Sequence, residues 1–127
     1  MRHVVTIFGE AEKGQCRVPY FLNELPQLVD AFGNPPEESE GLFFAVQALL
    51  FRRDLIYFRV EEEGFSSNDY YTGLQYLKNK AHPIHAFCLP GVGDPKILEA
   101  FQTLSSIHNS FLITSQKDLY DYLTISI

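Results

Sequence analysis

Val4-Val-Thr-Ile-Phe8 decides the architecture of this chain. It is a nearly continuous apolar run, rich in β-branched and aromatic residues, and Gly9 closes it. A strand with one face in water alternates apolar and polar residues, whereas one covered on both faces does not. Three later runs share this character: Leu55–Val60, Ile84–Leu89 and Phe111–Thr114, each bounded by Gly, Pro, Asp or Ser. Four such strands predict a parallel sheet enclosed by helices on both sides.

Helical patterns fill the intervals. A short helix is expected from Pro26 to just before Gly33, burying Leu28, Val29 and Phe32. Asn34-Pro-Pro-Glu-Glu38 reads as a cap, a first-turn proline and first-turn acids, predicting a helix to about Arg53. Ser66-x-x-Asp69 opens the next, with Tyr70, Leu74 and Leu77 on one stripe and Lys78 and Lys80 near its end. Asp94-Pro95 opens another, with Ile97, Phe101, Leu104 and Ile107 facing inward and Asn109 as its stop. Ser115-x-x-Asp118 opens the last, carrying Leu119, Tyr122 and Leu123.

Strands alternating with helices imply parallel pairing through right-handed crossovers. With the four strands numbered along the chain, the expected order is 2-1-3-4. That is a small doubly wound α/β fold, a three-layer sandwich around a four-stranded parallel sheet. In element order the layout resembles flavodoxin-like, Rossmann-like and receiver-type domains.

The 127 residues suit a single α/β domain, able to bury roughly two-thirds of the surface the unfolded chain exposes. Apolar residues make up 46% of the chain and aromatics 14%, a globular composition. Sixteen acids against ten Lys and Arg give a formal charge of −6, which argues against nucleic acid as a partner. Two cysteines, Cys16 and Cys88, suit a reducing compartment. Only Met1 and Arg2 precede the first apolar run, and no stretch approaches the ~18 apolar residues of a membrane span. A cytoplasmic protein without membrane contact is expected.

In such sheets ligands bind beyond the carboxyl ends of the strands, where the order reverses. The loops expected there are Gly9-Glu-Ala-Glu-Lys-Gly14, Glu61-Glu-Glu-Gly-Phe-Ser66, Pro90-Gly-Val-Gly-Asp94 and Thr114-Ser115. Glu10, Glu12, Glu61 and Glu63 are therefore candidates for a shared acidic site, with at least one titrating abnormally. Like charges ~4 Å apart repel by about 4 kcal/mol near a protein surface. The acids must then splay into water, pair with Lys13, Arg17 or Arg59, keep a proton, or hold a hard cation such as Mg²⁺. Gly91 and Gly93 precede a helix start, whose amides favour an anion, although Asp94 in the cap position satisfies them without one. Gly9, Lys13, Gly14, Ser66, Gly91, Gly93, Asp94 and Ser115 are the candidate ligand-binding residues.

Other motifs carry less. Gly64-Phe-Ser-Ser-Asn68 lacks the second glycine of a nucleophile elbow, so Ser66 reads better as a helix cap. His85 and Cys88 fall on opposite strand faces and cannot share a metal. A cation near Cys16 would activate its thiol, His108 suits a helix C-terminus, and His82-Pro83 reads as a loop. Leu42–Phe51 is apolar almost all round its helix, so either the preceding short helix covers it or Phe43, Phe44 or Phe51 meets a second copy in a homodimer.

Two functions are expected to compete. One is a module binding a small phosphorylated ligand or a protein partner through the carboxyl-edge crevice. The other is a small enzyme acting on a phosphorylated or nucleotide-like substrate, with Glu10, Glu12, Glu61 or Glu63 as general acid and base or as Mg²⁺ ligands.

Overall fold

A computed structural model describes residues 2–79 and 83–125. The strands are β1 Val4–Gly9, β2 Pro19–Leu22, β3 Asp54–Arg59, β4 Ala86–Cys88 and β5 Phe111–Ile113. The helices are α1 Leu25–Phe32, α2 Gly41–Leu50, α3 Ser67–Lys78, α4 Pro95–His108 and α5 Gln116–Leu123. None of the described helices is long and apolar enough to cross a membrane. Lys80 and His82 lie outside the described residues.

The sheet has five strands in the order β2-β3-β1-β4-β5. It is mixed and five-stranded, so the expected four-stranded parallel sheet in order 2-1-3-4 is corrected by one added antiparallel edge strand, the four expected strands keeping their order. β1 pairs in parallel with β3 and β4, and β4 with β5, but β2 joins β3 antiparallel. The unforeseen strand is only Pro19-Tyr-Phe-Leu22, and its leading proline is tolerated because it lies on an edge, at a strand's first position.

Continuous apolar strands follow from two covered faces. Val5, Ile7, Leu55, Tyr57, Ala86 and Cys88 face α1, α2 and α5. Phe8, Ile56, Phe58 and Phe87 face α3 and α4. On that second face the Phe8 ring stacks on Phe58 at 4.8 Å and meets Phe101 edge-on at 5.2 Å.

α4 runs between its expected signals. The Asp94 carboxylate accepts from Lys96 N–H at 2.9 Å, and Asn109 ends the helix in the left-handed region at φ 56°. α2 departs from expectation, starting at Gly41 instead of Asn34. Glu38 takes a left-handed φ of 62°, which no α-helix propagates through, and Pro36–Ser39 forms a turn closed by Ser39 N–H donating to Pro36 O at 3.2 Å.

Periodicity also misplaced three side chains. Val29 and Ile107, expected inside, are 59% and 75% exposed. Phe44, expected at a subunit contact, is fully buried under the sheet-facing side of α2. Phe51 packs edge-on against Tyr120 at 6.2 Å, and α1 and α5 flank α2 on its two sides.

Candidate functional site

β1, β3 and β4 deliver their following loops to one edge, and the Glu63 side chain, after β3, ties the loop after β1 to the start of α2. Its Oε1 accepts from Glu10 N–H at 3.0 Å and from Gly41 N–H at 3.0 Å, and its Oε2 accepts from Glu40 N–H at 2.6 Å. Glu10 returns the contact, its Oε2 accepting from Glu63 N–H at 2.8 Å. One carboxylate thus fills the amino terminus of α2, where free amides and the helix dipole favour negative charge. Burial lifts the Glu63 carboxyl above the usual glutamate range against the pull of those three amides, and the Glu10 charge adds to the lift.

The approach that allows this geometry is made of glycine. A Cβ on Gly9 would stand 2.5 Å from the Gly41 Cα and 2.6 Å from the Tyr57 hydroxyl. That hydroxyl donates to the Glu10 carbonyl at 3.0 Å. The end of β1 and the start of α2 therefore touch backbone to backbone.

Around this junction opens a cleft of about 470 Å³ lined by Glu10, Glu37, Glu38, Glu40, Glu62 and Glu63, with Phe65 and Gly91 completing it. Phe65 is 75% exposed. Glu37, Glu38 and Glu40 were expected at a helix start and reach the cleft because that segment is a turn. Their density in Glu37–Glu40, matching that of Glu61–Glu63, was the available signal.

The candidate residues divide. Glu10, Glu63, Gly9 and Gly91 meet at the cleft. Glu12 does not: its Oε1 accepts from Asn34 N–H at 3.1 Å, and the Glu12 and Lys13 amides donate to Phe32 O at the end of α1. Gly14 lies beside the Phe32 ring. Glu61 turns to Arg17 at 3.8 Å, as the pairing expectation had it, and Arg17 also holds the buried Asp69 carboxylate at 2.7 Å. Burial alone would raise the Asp69 carboxyl, but the Glu61 N–H and the Arg17 guanidinium bring it below the usual range.

The expected caps vary in their use. Ser66 Oγ accepts from Glu62 N–H and donates to Glu62 O, both at 3.1 Å, so it closes the Glu62–Ser66 turn instead of capping α3. Asp94 caps α4 through the Lys96 amide, a Cβ on Gly93 would meet nothing within 4 Å, and Ser115 Oγ accepts from Asp118 N–H at 3.2 Å.

Burial raises the Cys16 thiol and outweighs the Arg59 charge beside it. The Cys88 thiol is raised by burial in the core. His85 precedes β4, stacks on His3 at 3.9 Å between ring centres, and accepts Val4 N–H at its Nδ1. Among the described residues no three His, Cys, Asp or Glu side chains are grouped as metal ligands would be. Comparison with known proteins finds no family model, no curated protein and no solved structure that matches this chain.

Proposed function

We propose that the chain is a binding module whose carboxyl-edge cleft receives a cationic group of a small ligand or of a protein partner. The observation that carries this reading is the lining: six glutamates and, among the described residues, no Lys or Arg. Two unit charges at ~4 Å interact by about 4 kcal/mol near a protein surface, so a cation entering between carboxylates relieves repulsion that the empty cleft retains. The exposed Phe65 ring at the rim adds a face on which an ammonium or guanidinium group stacks.

The phosphorylated ligand is the weaker expectation on the same grounds. Six carboxylates repel it, Glu63 takes the amides at the start of α2, and at the start of α4 Asp94 takes the Lys96 amide while Pro95 has none to offer. The enzyme reading finds no geometry in its favour, since Glu12 and Glu61 lie away from the cleft and Glu63 is held by three amides. Amide NMR titration with spermidine, Mg²⁺ and inorganic phosphate tests the proposal. Spermidine should shift Glu10, Glu63, Phe65 and Gly91, with an effect that salt suppresses. Phosphate shifting those residues while spermidine leaves them unmoved would refute it.

A homodimer is a second reading, favoured by one observation. Phe43 and Leu50 on α2 and Tyr120 on α5 are exposed, and a groove of about 350 Å³ between the two helices is lined by Phe43, Leu119 and Tyr120. A patch of this kind on one face suits a two-fold contact.

A further inference from the structure

β5 forms one edge of the sheet, with no strand beyond it among the described residues. Its Phe111 N–H donates to His85 O at 3.0 Å, and its Ile113 carbonyl accepts from Leu89 N–H at 2.8 Å. In a parallel ladder the residues bonded inward flank one that faces away, so the N–H and carbonyl of Leu112 point toward the open side. Exposed edges are ordinarily blunted by shortness, charge, proline or a bulge, and β5, at three residues, has only its shortness. Ser110-Phe-Leu-Ile-Thr114 contains neither a charge nor a proline, whereas the opposite edge strand begins with Pro19.

Beside this edge lies a groove of about 260 Å³ with Phe111, Ile113, Tyr122 and Ile125 as its apolar part and Asp118 and Asp121 as its charges, Asp121 being paired with Lys117 at 3.0 Å one turn back on α5. Phe111 is 50% exposed. We propose that β5 is a docking edge for an extended basic segment of another protein, which adds a sixth strand to the sheet. Pairing with Leu112 supplies the main-chain hydrogen bonds. Alternate side chains of the docked strand fall over the groove. There a Lys or Arg stem covers the exposed Phe111 and Ile125 while its charged end reaches Asp118 and shares Asp121 with Lys117. A second copy of this chain fits poorly: pairing β5 with its own copy about a two-fold axis sets both α5 helices on the same face and turns their carboxylates toward one another. This surface is separate from the carboxyl-edge cleft, and the inference does not rest on that cleft's role.

The test uses the full chain with three short synthetic peptides: alternating valine and lysine, alternating valine and glutamate, and the lysine peptide with methylated backbone nitrogens. Amide NMR and hydrogen exchange read the result at Leu112. The lysine peptide should shift the Leu112 amide and slow its exchange, and the methylated and glutamate peptides should not. Asp118 and Asp121 are exposed, so Asp118→Lys with Asp121→Lys should fold. The variant should weaken the lysine peptide by roughly fivefold, as two surface ion pairs allow, and admit the glutamate peptide. Equal binding of the methylated peptide would overturn the strand pairing. Binding unchanged by the two substitutions would overturn the basic occupant. Slowing of Leu112 by protein concentration alone would make a second copy the occupant, and shifts confined to Glu10, Glu63 and Gly91 would assign basic chains to the cleft only.

Discussion

Replacing Glu63 with Ala removes the acceptor for three amides at once: Glu10 after β1, and Glu40 and Gly41 at the start of α2. A hydrogen bond to a charged group contributes about 1.5–3 kcal/mol, but the site opens on a cleft, where water recovers part of each bond. Burial and the Glu10 charge also oppose the ionised carboxylate. The net expectation is a loss of about 2–4 kcal/mol, a large part of the ~5–15 kcal/mol of an ordinary domain. Glu63→Gln keeps an oxygen for Glu10 and Gly41 but turns an NH₂ toward Glu40 N–H, so it should cost about 1–2 kcal/mol.

The two variants also differ in their response to pH. The folded Glu63 carboxyl is raised, so the folded state holds that proton more tightly than the unfolded chain. Its contribution is complete below the unfolded glutamate value, about 4.3, and is lost as pH rises through the folded value. Wild-type protein should show that decline, and Glu63→Gln should lack it. Urea unfolding across a pH series measures both quantities, followed by circular dichroism or by tyrosine emission, since the chain has seven Tyr and no Trp. An alanine variant within ~0.5 kcal/mol of wild type, or a glutamine variant with the same pH slope, would refute the reasoning.

Gly9→Ala forces a methyl against the Gly41 Cα and should cost about 3 kcal/mol or more, while Gly93→Ala, with nothing within 4 Å, should stay within ~0.5 kcal/mol of wild type; chemical denaturation compares the pair. Burial holds the His85 imidazole below the ordinary histidine value, and the His3 and Arg53 charges push the same way. Stability from His85 is therefore complete above the unfolded value of about 6.5 and falls as pH drops through the folded one. Thermal melts should show this slope in wild type and not in His85→Asn. Phe43→Glu should leave the fold intact and abolish the proposed dimer, whereas Phe44→Glu should unfold the chain; light scattering showing a wild-type monomer at ~100 μM would reject a dimer tighter than that range.

What the sequence disclosed followed its local signals. Val4–Phe8 and Leu55–Val60 announced buried strands because both their faces carry apolar side chains, and α4 announced both its ends through Asp94, Pro95 and Asn109. β2 escaped because four residues led by a proline have no periodicity to read. α2 was extended back to Asn34 because Pro35, Pro36 and Glu37 mimic a first turn. Its true start is fixed by Gly9 and Glu63, which are distant in sequence and leave no local mark. Val29 and Ile107 show the same limit, since period marks a face without saying whether anything covers it. At the site, Glu10 and Glu63 converged while Glu12 and Glu61 found partners at Asn34 and Arg17. Neighbours in a loop are separated by where each backbone turns, which composition does not encode.

The backbone contact between Gly9 and Gly41 gives the cleft two unlike walls. One is continuous with the central strand, and its carboxylates Glu10 and Glu63 are locked by bonds they exchange with the main chain. The other, Glu37 to Glu40, hangs on a turn. Binding affinity is diminished by whatever freedom a ligand takes from the protein. A cation seated against Glu10 and Glu63 finds its partners already preorganised and takes little. One seated against the exposed Glu37 and Glu38 must first fix their side-chain rotamers, at an entropic cost. Tight ligands of this cleft should accordingly be those small enough to press against the sheet, with larger ones gaining contacts on the turn at diminishing return.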